Sequence, residues 1–447
     1  MVSLDKTGAS LMRAFKQKHG SNSLEKLPEL PLGRRVPKNL ERPAGFLRPG
    51  EPQSFPPPDW ATPHHQGHII SVAPTGSGKG ASHLIPALLT WQGPAVVLDV
   101  KGEAWATTAA ARKQMGHEVV LLDPFSLFPE DDAGAFNVLD LIDPNRPDFQ
   151  EECFALAKRV APDQSVSDPF WDQSAVQMIA DLVAYVCGEM PRGLRNLPEV
   201  AYQAMQSNKD LELTVKDCRR SGNTVIRRAL SQLSGAEAKV KASIVSTAQR
   251  WMPSFSSSLI QSSITKTTFD PAALVRGEKI TIYIVVPPHR LTNAGPILRL
   301  WLGALMALFQ TRMTLPPRET LFLIDEAWHL GFLPELETAT TLMRGYGVRL
   351  WSFWQDLEQI SSRYPKSCAT ILNNTSTICG FGFHNSAAQR EFADRLGFPD
   401  WAHKPLKPRL ALLHRAGQRG QLINLERYFE MEPFQGLWRA APLSPTR

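Results

Sequence analysis

The chain has 447 residues, of which 43% are hydrophobic, so it is long and apolar enough for two or three folded domains. Its five cysteines show no C-x-x-C spacing, which excludes a zinc site or disulfide framework of the usual pattern. Reduced thiols of a cytoplasmic protein are therefore expected. The formal net charge of +6 is uneven, because basic residues exceed acidic ones in residues 1–50, 192–250 and 401–425. Such segments indicate polyanion binding or ordinary solvated surface.

The N-terminal region predicts an extended strap and no membrane anchor. Residues 1–20 predict a short basic helix or a frayed terminus, and ten prolines between Pro28 and Pro63 predict a strap or linker. No run approaches 18 apolar residues, and the longest, at residues 300–309, predicts a core helix. No signal peptide is expected, because an apolar N-terminal segment is missing.

A glycine-rich loop, Ala73-Pro-Thr-Gly-Ser-Gly-Lys-Gly80, lies between a predicted strand at residues 68–72 and a predicted helix at residues 81–90. This order predicts a phosphate cradle, in which loop N–H groups and a helix N-terminus converge on phosphates and a lysine reaches the terminal ones. The usual pattern starts with glycine and ends with serine or threonine, whereas this loop carries Ala73 and Gly80 there. Alone, the loop is a weak signal.

Apolar strands and helices alternate after the loop. Strands are predicted at residues 94–100 and 118–123, with a helix at residues 102–115 between them. Continuous apolar strands separated by helices predict a parallel sheet covered on both faces. Lys101 and Glu103 follow a strand at the edge where parallel sheets bind ligands, and are candidate nucleotide or interface residues.

The pattern becomes helical after Pro144. Residues 149–263 contain no convincing strand, and long helices are predicted at residues 170–190 and 224–252. We therefore expect an all-α insertion whose second half is rich in arginine and lysine.

The alternation then resumes. Strands are predicted at residues 279–286, 321–324, 348–354, 377–383 and, near the end, 421–425, and helices at residues 295–312, 334–344, 368–374 and 387–396.

The strand at residues 321–324 ends in Asp325 and Glu326. A buried strand has no structural need for two adjacent acids, although its end could simply reach solvent. A nucleoside triphosphatase uses such a pair, because the aspartate holds the magnesium shell through water and the glutamate orients or deprotonates the attacking water. The phosphate loop and the acidic pair together predict nucleoside triphosphate hydrolysis.

Several motifs in order resemble the TraG/TraD-type coupling ATPases of conjugation and type IV secretion. Besides the loop, they are Leu98-Asp-Val-Lys-Gly-Glu103, Asp123-Pro-Phe125, Phe170-Trp171, Val285-Val-Pro-Pro288, Leu323-Ile-Asp-Glu326, and Met343-Arg-Gly-Tyr-Gly-Val348 followed by Gln355. The resemblance covers roughly residues 65–430. It implies a RecA-like α/β P-loop NTPase domain with a mainly parallel sheet, interrupted by an inserted all-α domain, with ATP and Mg²⁺ as cofactors. It also implies that glycine is acceptable at the end of the loop.

Roles follow for the loop and the acids as hypotheses. Asp325 holds Mg²⁺ through water, Glu326 activates water, and Lys79 contacts the β- and γ-phosphates. Waters on Asp325, or the hydroxyl group of Thr75 or Ser82, would replace the hydroxyl group that Gly80 lacks. The predicted nucleotide-binding residues are Thr75, Gly76, Ser77, Gly78, Lys79, Gly80 and Ala81.

Two further residues complete the predicted catalytic set. The resemblance implies that Arg344 is an arginine finger acting in trans, although a surface arginine at a helix C-terminus is the alternative. Gln355 follows a strand expected beside the acidic one, which makes it a γ-phosphate sensor or a strand-end hydrogen bonder. His64, His65 and His68 cluster without an acidic partner, so we expect linker histidines and no metal site.

The predicted domains are an N-terminal polar segment and Pro-rich strap at residues 1–64, two parts of a nucleotide-binding domain, an all-α domain and a basic C-terminal segment. The nucleotide-binding parts cover residues 65–145 and 266–400, the all-α domain residues 146–265 and the C-terminal segment residues 401–447.

The predicted function is an ATP-driven motor that moves single-stranded DNA, or a protein–DNA complex, into a type IV secretion channel. We expect a homohexameric ring that binds DNA phosphates without sequence preference, with residues 288–296 as a channel loop. Channel or relaxosome proteins are the expected partners. The location is cytoplasmic, or peripheral at the inner membrane through a partner.

Alternatives remain open at this stage. Most relatives carry an N-terminal membrane anchor that this sequence is expected to lack. Either another protein attaches the chain to the membrane, or the chain is a soluble relative with a different function. One alternative is an ATP-switched adaptor that recognises effector proteins through the helical domain, and another is a DNA-translocating ATPase unrelated to secretion. A simple P-loop kinase is disfavoured, because no lid-like arginine cluster is present.

Overall fold

The structure is a computed structural model that describes residues 27–36, 59–65, 67–161 and 169–438. Its strands are β1 (Gly33–Arg35), β2 (Trp60–Ala61), β3 (His68–Val72), β4 (Ala95–Val100), β5 (Glu118–Leu122), β6 (Ile280–Val286), β7 (Thr320–Ile324), β8 (Val348–Trp354), β9 (Thr375–Phe381), β10 (Leu410–Arg415) and β11 (Gln421–Asn424). They form one eleven-stranded sheet in the order β2-β1-β11-β10-β9-β3-β8-β7-β4-β6-β5.

The sheet is mainly parallel. All neighbours from β9 to β5 run parallel, whereas β10, β11, β1 and β2 add antiparallel pairs at one edge. The expected parallel sheet is therefore confirmed. Strand β10 lies in the C-terminal segment and was not predicted, and the strap supplies β1 and β2, which pair with the sheet edge.

The described α-helices lie in chain order between and after these strands. They are α1 (Ile85–Thr90), α2 (Glu103–Gln114), α3 (Phe149–Val160), α4 (Pro169–Glu189), α5 (Leu197–Ala204), α6 (Asn208–Arg220), α7 (Thr224–Arg228), α8 (Ser231–Gly235), α9 (Ala238–Gln249), α10 (Ser258–Ile264), α11 (Ala272–Arg276), α12 (Leu291–Leu308), α13 (Pro334–Leu342), α14 (Leu357–Arg363), α15 (Cys368–Asn374) and α16 (Ser386–Leu396).

Helices α3 to α10 form the insertion between β5 and β6, and no strand lies between those two strands among the described residues. The expected all-α character is confirmed. The single long helix predicted at residues 224–252 is wrong, because the chain turns between α7, α8 and α9. Leu230 has a left-handed φ of +59°, and Ala236 and Glu237 are extended, so the helical hydrogen-bond ladder cannot continue through them.

Both faces of the sheet are covered. Alternate residues of β3 point to opposite sides, so that Ile69 belongs to one apolar core and Ile70 to the other. The core that contains Ile69 is shared with α1 and α2. The core that contains Ile70 includes the buried faces of the helical insertion and of α12. Trp301 of α12 is fully buried there, and its Nε1 donates to the carbonyl of Phe136 at 2.9 Å.

Helix α12 begins earlier than predicted. Residues 288–296 are not the expected loop, because a 3₁₀ turn (Pro288–Arg290) leads directly into the helix, which accommodates Pro296 near its start. Of the described residues, one helical stretch, Asn293–Thr311, is long and apolar enough to cross a membrane by length and composition alone, and 72% of it is buried inside the protein. The predicted basic helix at residues 1–20 lies outside the described residues.

Candidate nucleotide-binding site

The strand order brings the predicted motifs to one edge of the sheet. Strand β8 pairs in parallel with both β3 and β7, so the segments that follow these three strands emerge side by side. They carry the glycine-rich loop after β3, Asp325 and Glu326 after β7, and Gln355 after β8. This edge is where parallel sheets bind ligands.

The glycine-rich loop has a backbone that only glycine adopts easily. Gly76 and Gly78 have φ angles of +80° and +95°. A Cβ atom at Gly76 would meet nothing within 4 Å, which leaves open space at this point of the loop. The Ser77 hydroxyl donates to the carbonyl of Pro74 at 2.6 Å and ties the loop together, while Thr75 stays exposed. After Lys79 the chain enters a π-helical turn, Gly80–Leu84, which includes Ala81 and runs into α1.

Lys79 lies at the centre of a polar network. Its buried Nζ donates to the carbonyl of Ala73 at 2.7 Å and lies 3.4 Å from Oε1 of Glu326. Nε2 of Gln355 donates to the other carboxylate oxygen of Glu326 at 3.0 Å. Three residues that are 29 to 276 positions apart in the chain, as their numbers show, are thus brought within hydrogen-bonding or ion-pairing distance.

Glu326 adopts a strained backbone. Its φ of +48° and ψ of +51° lie in the left-handed region, which is uncommon for a residue with a side chain. Strain of this kind occurs at functional sites, where the surrounding structure holds it in place. Here it turns the chain away from β7 and directs the Glu326 carboxylate toward Lys79.

Two neighbouring aspartates lie beside this network, of which Asp99 is buried and Asp325 is half-buried. Burial and the charge of Glu326 raise the pKa of Asp325 to about 7, and burial raises the pKa of Asp99 to about 7. Leu98 pairs with Ile324, so Asp99 in β4 lies next to Asp325, the first residue after β7. The sequence motif Leu98–Glu103 does not by itself predict a role for Asp99, although an acid in an otherwise apolar strand is a signal of function.

The donor set fits a magnesium ion that is held jointly with phosphates. Carboxylate oxygens are hard ligands, and Mg²⁺ usually binds one or two carboxylates together with waters and substrate phosphates. Within the described ranges, no group of three or more His, Cys, Asp or Glu residues is arranged to hold a metal by itself. A negative charge on the half-buried Asp325 would be compensated by such an ion.

Arg344 lies at the amino ends of the parallel strands, away from the carboxyl ends that carry the glycine-rich loop. It precedes β8, whereas Gln355 follows that strand, and the seven residues between span ~20 Å. The Arg344 residue is exposed and lines a surface groove of about 440 Å³ together with Leu315, Pro316 and Leu342. The structure therefore does not bring Arg344 to the nucleotide-binding edge of its own chain.

The three clustered histidines separate into two environments. The rings of His64 and His65 lie 4.3 Å apart, centroid to centroid, in the strap. His68 is buried at the start of β3, where its Nδ1 accepts from the N–H of Leu350 at 3.1 Å. Burial and the positive charges of Arg349 and Arg344 lower the pKa of His68 to about 4, so the ring is neutral.

The architecture defines a RecA-like P-loop NTPase fold with an inserted helical domain. The unbound monoclinic form of the bacterial conjugative coupling protein TrwBdeltaN70 superposes with a TM-score of 0.65 at 14% identity, covering 85% of this chain and 86% of that chain. TrwB in complex with ADP and Mg²⁺ gives a TM-score of 0.66 at 13% identity, covering 83% of this chain and 88% of that one.

The chain belongs to the family described as Type IV secretory system Conjugative DNA transfer, whose model matches residues 50–398. It is 29% identical over 326 residues to protein VirD4 of Rhizobium rhizogenes, covering 71% of this chain and 47% of the relative. It is 24% identical over 320 residues to conjugal transfer protein TraG of Escherichia coli, covering 67% and 50%. The chain thus spans about half the length of the curated relatives that it matches.

Proposed function

We propose that this chain is an ATP-hydrolysing motor of the coupling-protein type, which moves DNA or a protein–DNA substrate into a type IV secretion channel. The observation that carries the proposal is the network of Lys79, Glu326 and Gln355 at the carboxyl edge of the sheet, in a member of the conjugative DNA transfer family. The solved TrwB complexes with the ATP analogue ADPNP and with ADP and Mg²⁺ support ATP and Mg²⁺ as ligands.

The chain's own groups divide the work of hydrolysis. Backbone N–H groups of residues 75–81 bind the phosphates, and Lys79 leaves the Glu326 carboxylate to contact the β- and γ-phosphates. Glu326, oriented by the amide of Gln355, then accepts the proton of the attacking water. Asp325 would hold the water shell of a bound Mg²⁺, which would supply charge neutralisation at the phosphates. Gln355 senses the γ-phosphate through its hydrogen bond to the Glu326 carboxylate.

Arg344 acts on the nucleotide of a neighbouring subunit. Its position ~20 Å from the phosphate-binding end of its own strands supports a role in which a ring brings it to the nucleotide of the next subunit. In trans, the guanidinium group stabilises charge on the transferring phosphoryl group. We therefore propose a homohexamer as the active form.

Single-stranded DNA is the proposed polymer, bound through its phosphates. The helical insertion exposes a set of cations on α6, α7 and α9 that supports this assignment: Lys216, Arg219, Arg220, Arg227, Arg228 and Lys239. Contacts of this kind are insensitive to sequence and weaken steeply with salt. Channel or relaxosome proteins are the proposed partners, and the chain works at the cytoplasmic side of the membrane through one of them.

The test is ATP turnover with and without single-stranded DNA at low salt, for the wild type, Lys79→Ala and Glu326→Gln. We expect DNA to stimulate turnover, Lys79→Ala to lose nucleotide binding, and Glu326→Gln to keep binding but lose turnover about 100-fold or more. Sizing in ATP should show a ring-sized species.

Other outcomes assign other functions. Turnover that ignores DNA, from a monomer in every state, would remove the ring motor and favour an adaptor that binds effector proteins. DNA-stimulated turnover without any association with secretion-channel proteins would favour a motor unrelated to secretion.

Gln418→Ala is the matched control for the Lys79 and Glu326 variants. Gln418 is exposed in the turn between β10 and β11, which lies at the end of the strands opposite to the nucleotide-binding site.

A further inference from the structure

Gly80 leaves a gap where phosphate loops usually carry a hydroxyl group, and the carboxylate of Glu103 faces that gap. A Cβ atom built at Gly80 would lie 3.7 Å from Oε2 of Glu103, with no other atom outside the local backbone within 4 Å. The hydroxyl oxygen of a serine or threonine at position 80 would therefore lie close to this carboxylate. A carboxylate oxygen, like a hydroxyl oxygen, accepts hydrogen bonds from water and is a hard ligand.

The backbone before Glu103 places its side chain at the gap. Glu103 is the first residue of α2, and it follows Gly102, whose φ is +75°. A Cβ atom at Gly102 would approach the Phe128 ring to 2.4 Å, so only glycine allows this close passage of the chain. The half-buried Glu103 is thus held by a tight turn from β4 into the helix.

Glu103 stands on the same sheet edge as Asp325. Strand β4 pairs with β7, and the N–H of Asp325 donates to the carbonyl of Leu98 at 3.2 Å. The turn that follows β4 and the acidic end of β7 therefore flank the loop residue Gly80 from one side of the sheet. Because Mg²⁺ keeps several waters, one carboxylate on each of two neighbouring strands can share a single hydrated ion.

We propose that Glu103 takes the place of the missing loop hydroxyl group and, together with Asp325, would hold the water shell of a bound Mg²⁺. The proposal rests on nucleotide binding at the loop and deepens that function. It assigns Glu103 as a metal-positioning residue and explains how Gly80 can stand where other phosphate loops have serine or threonine.

The test measures binding of a fluorescent derivative of ADPNP while Mg²⁺ is titrated from EDTA to saturation. For Glu103→Gln we expect the Mg²⁺ concentration at half-saturation to rise about tenfold or more, with affinity in EDTA unchanged. The double variant Gly80→Ser/Glu103→Gln should recover most of this loss, since the serine restores the hydroxyl group. Glu118→Gln is the control, because Glu118 is an exposed acid at the start of β5, whereas the nucleotide-binding site lies at the carboxyl ends of the parallel strands.

Each outcome has a defined meaning. A Glu103→Gln titration that matches the control, or a loss that Gly80→Ser fails to rescue, would overturn the assignment while leaving nucleotide binding intact. A wild type that binds ADPNP identically with and without Mg²⁺ would overturn the magnesium role of the site, and the Glu103 assignment with it. Rescue by the serine is the decisive readout, because a merely structural glutamate would not be replaced by a hydroxyl group on another element.

Discussion

Asp325 illustrates how single residues of this site favour function over stability. Its carboxyl group is buried beside Glu326 and has a pKa near 7, while Lys79 is the main opposing charge. Between pH 4 and pH 7 the folded state retains a proton that the unfolded chain has lost. The free energy of unfolding contributed by this group therefore falls as the pH rises through that window.

Asp325→Asn should consequently stabilise the protein at pH 8. We expect a gain of about 4 kcal/mol in the free energy of unfolding at pH 8, shrinking toward pH 4, because asparagine never carries the charge that burial disfavours. Urea unfolding in EDTA at both pH values measures the difference. An advantage that is the same at pH 4 and pH 8 would show that the charge of Asp325 is not its cause.

Gln355 is predicted to affect turnover much more than nucleotide binding. Its side-chain amide donates to Glu326, so its removal loosens the base while Lys79 and the loop keep their phosphate contacts. Gln355→Ala should reduce turnover 10- to 100-fold and change the affinity for ADPNP less than threefold, a split characteristic of an orienting group. Steady-state turnover and equilibrium binding measure the two effects. Equal losses in both would place Gln355 on the nucleotide itself.

At the scale of elements, the strap is attached to the nucleotide-binding core through one buried histidine. Nε2 of His83 donates to the carbonyl of Leu32 at 3.1 Å, so its Nδ1 accepts from the Ser71 hydroxyl at 3.0 Å. The Ser71 oxygen in turn accepts from Nε1 of Trp351 at 3.0 Å. The network satisfies both ring nitrogens of a neutral imidazole and connects the strap, β3, β8 and the turn after the phosphate loop.

This network should weaken in acid. Burial lowers the pKa of His83 to about 4, so the unfolded chain binds a proton that the folded chain does not between pH 6.5 and pH 4. Its contribution is complete above pH 6.5 and falls by about 2 kcal/mol at pH 5. The stability advantage of the wild type over His83→Phe should shrink by this amount between pH 7.5 and pH 5 in urea unfolding. An advantage that does not change with pH would show that His83 is not held neutral.

The elements best predicted from the sequence are those that are buried on both faces. Strand β8 was predicted with its observed bounds, and β4, β6 and β7 to within one residue, because a continuous apolar run is itself the requirement of a doubly covered parallel strand. Strand β10 escaped prediction, because it lies in a basic, proline-rich segment and gains its structure by pairing with β9. The two-residue β2 carries no periodicity at all and exists only through its partner.

The site divides in the same way. The loop and the acid pair are local patterns visible in the sequence, and the expected adjacency of β7 and β8 is observed, which brings Gln355 beside Glu326. The proximity of Glu103 to Gly80 depends on how the β4–α2 turn packs against the loop, which no local pattern encodes. The helix predicted from residue 295 begins at Leu291, because the tertiary burial of α12 extends it into the segment expected to be a loop.

At the scale of the whole molecule, buried arginines connect the helical insertion with the chain segment that follows Glu326. Nε of Arg159 on α3 lies 2.6 Å from Oε1 of Glu335 on α13, and both side chains are largely buried. Arg299 on α12 bridges the two parts, because its Nη1 donates to the carbonyl of Leu330 at 3.0 Å and its Nε donates to the carbonyl of Arg159 at 3.4 Å. Movement of the segment after Glu326 would therefore be transmitted to the insertion, which bears the exposed cations proposed to hold DNA.

The placement of Arg344 makes a prediction about the assembly as a whole. Each active site would use Lys79 of one subunit and Arg344 of its neighbour, so Lys79→Ala and Arg344→Ala should each abolish most turnover in a pure ring. In a mixed ring, an Arg344→Ala subunit supplies an intact phosphate loop and a Lys79→Ala neighbour supplies the arginine. After mixing and reassembly in equal amounts, about a quarter of the interfaces would be complete, and turnover should recover toward that fraction.

The control for this experiment is a mixture in which both lesions lie on the same subunit. Wild type diluted equally with the double variant Lys79→Ala/Arg344→Ala leaves about a quarter of the interfaces complete as well, so the two mixtures should reach similar turnover if sites act independently. Recovery in the control mixture alone would mean that Arg344 serves its own subunit, through a rearrangement that carries it across the length of β8. Recovery in both would establish that a complete site is built from two copies of the chain.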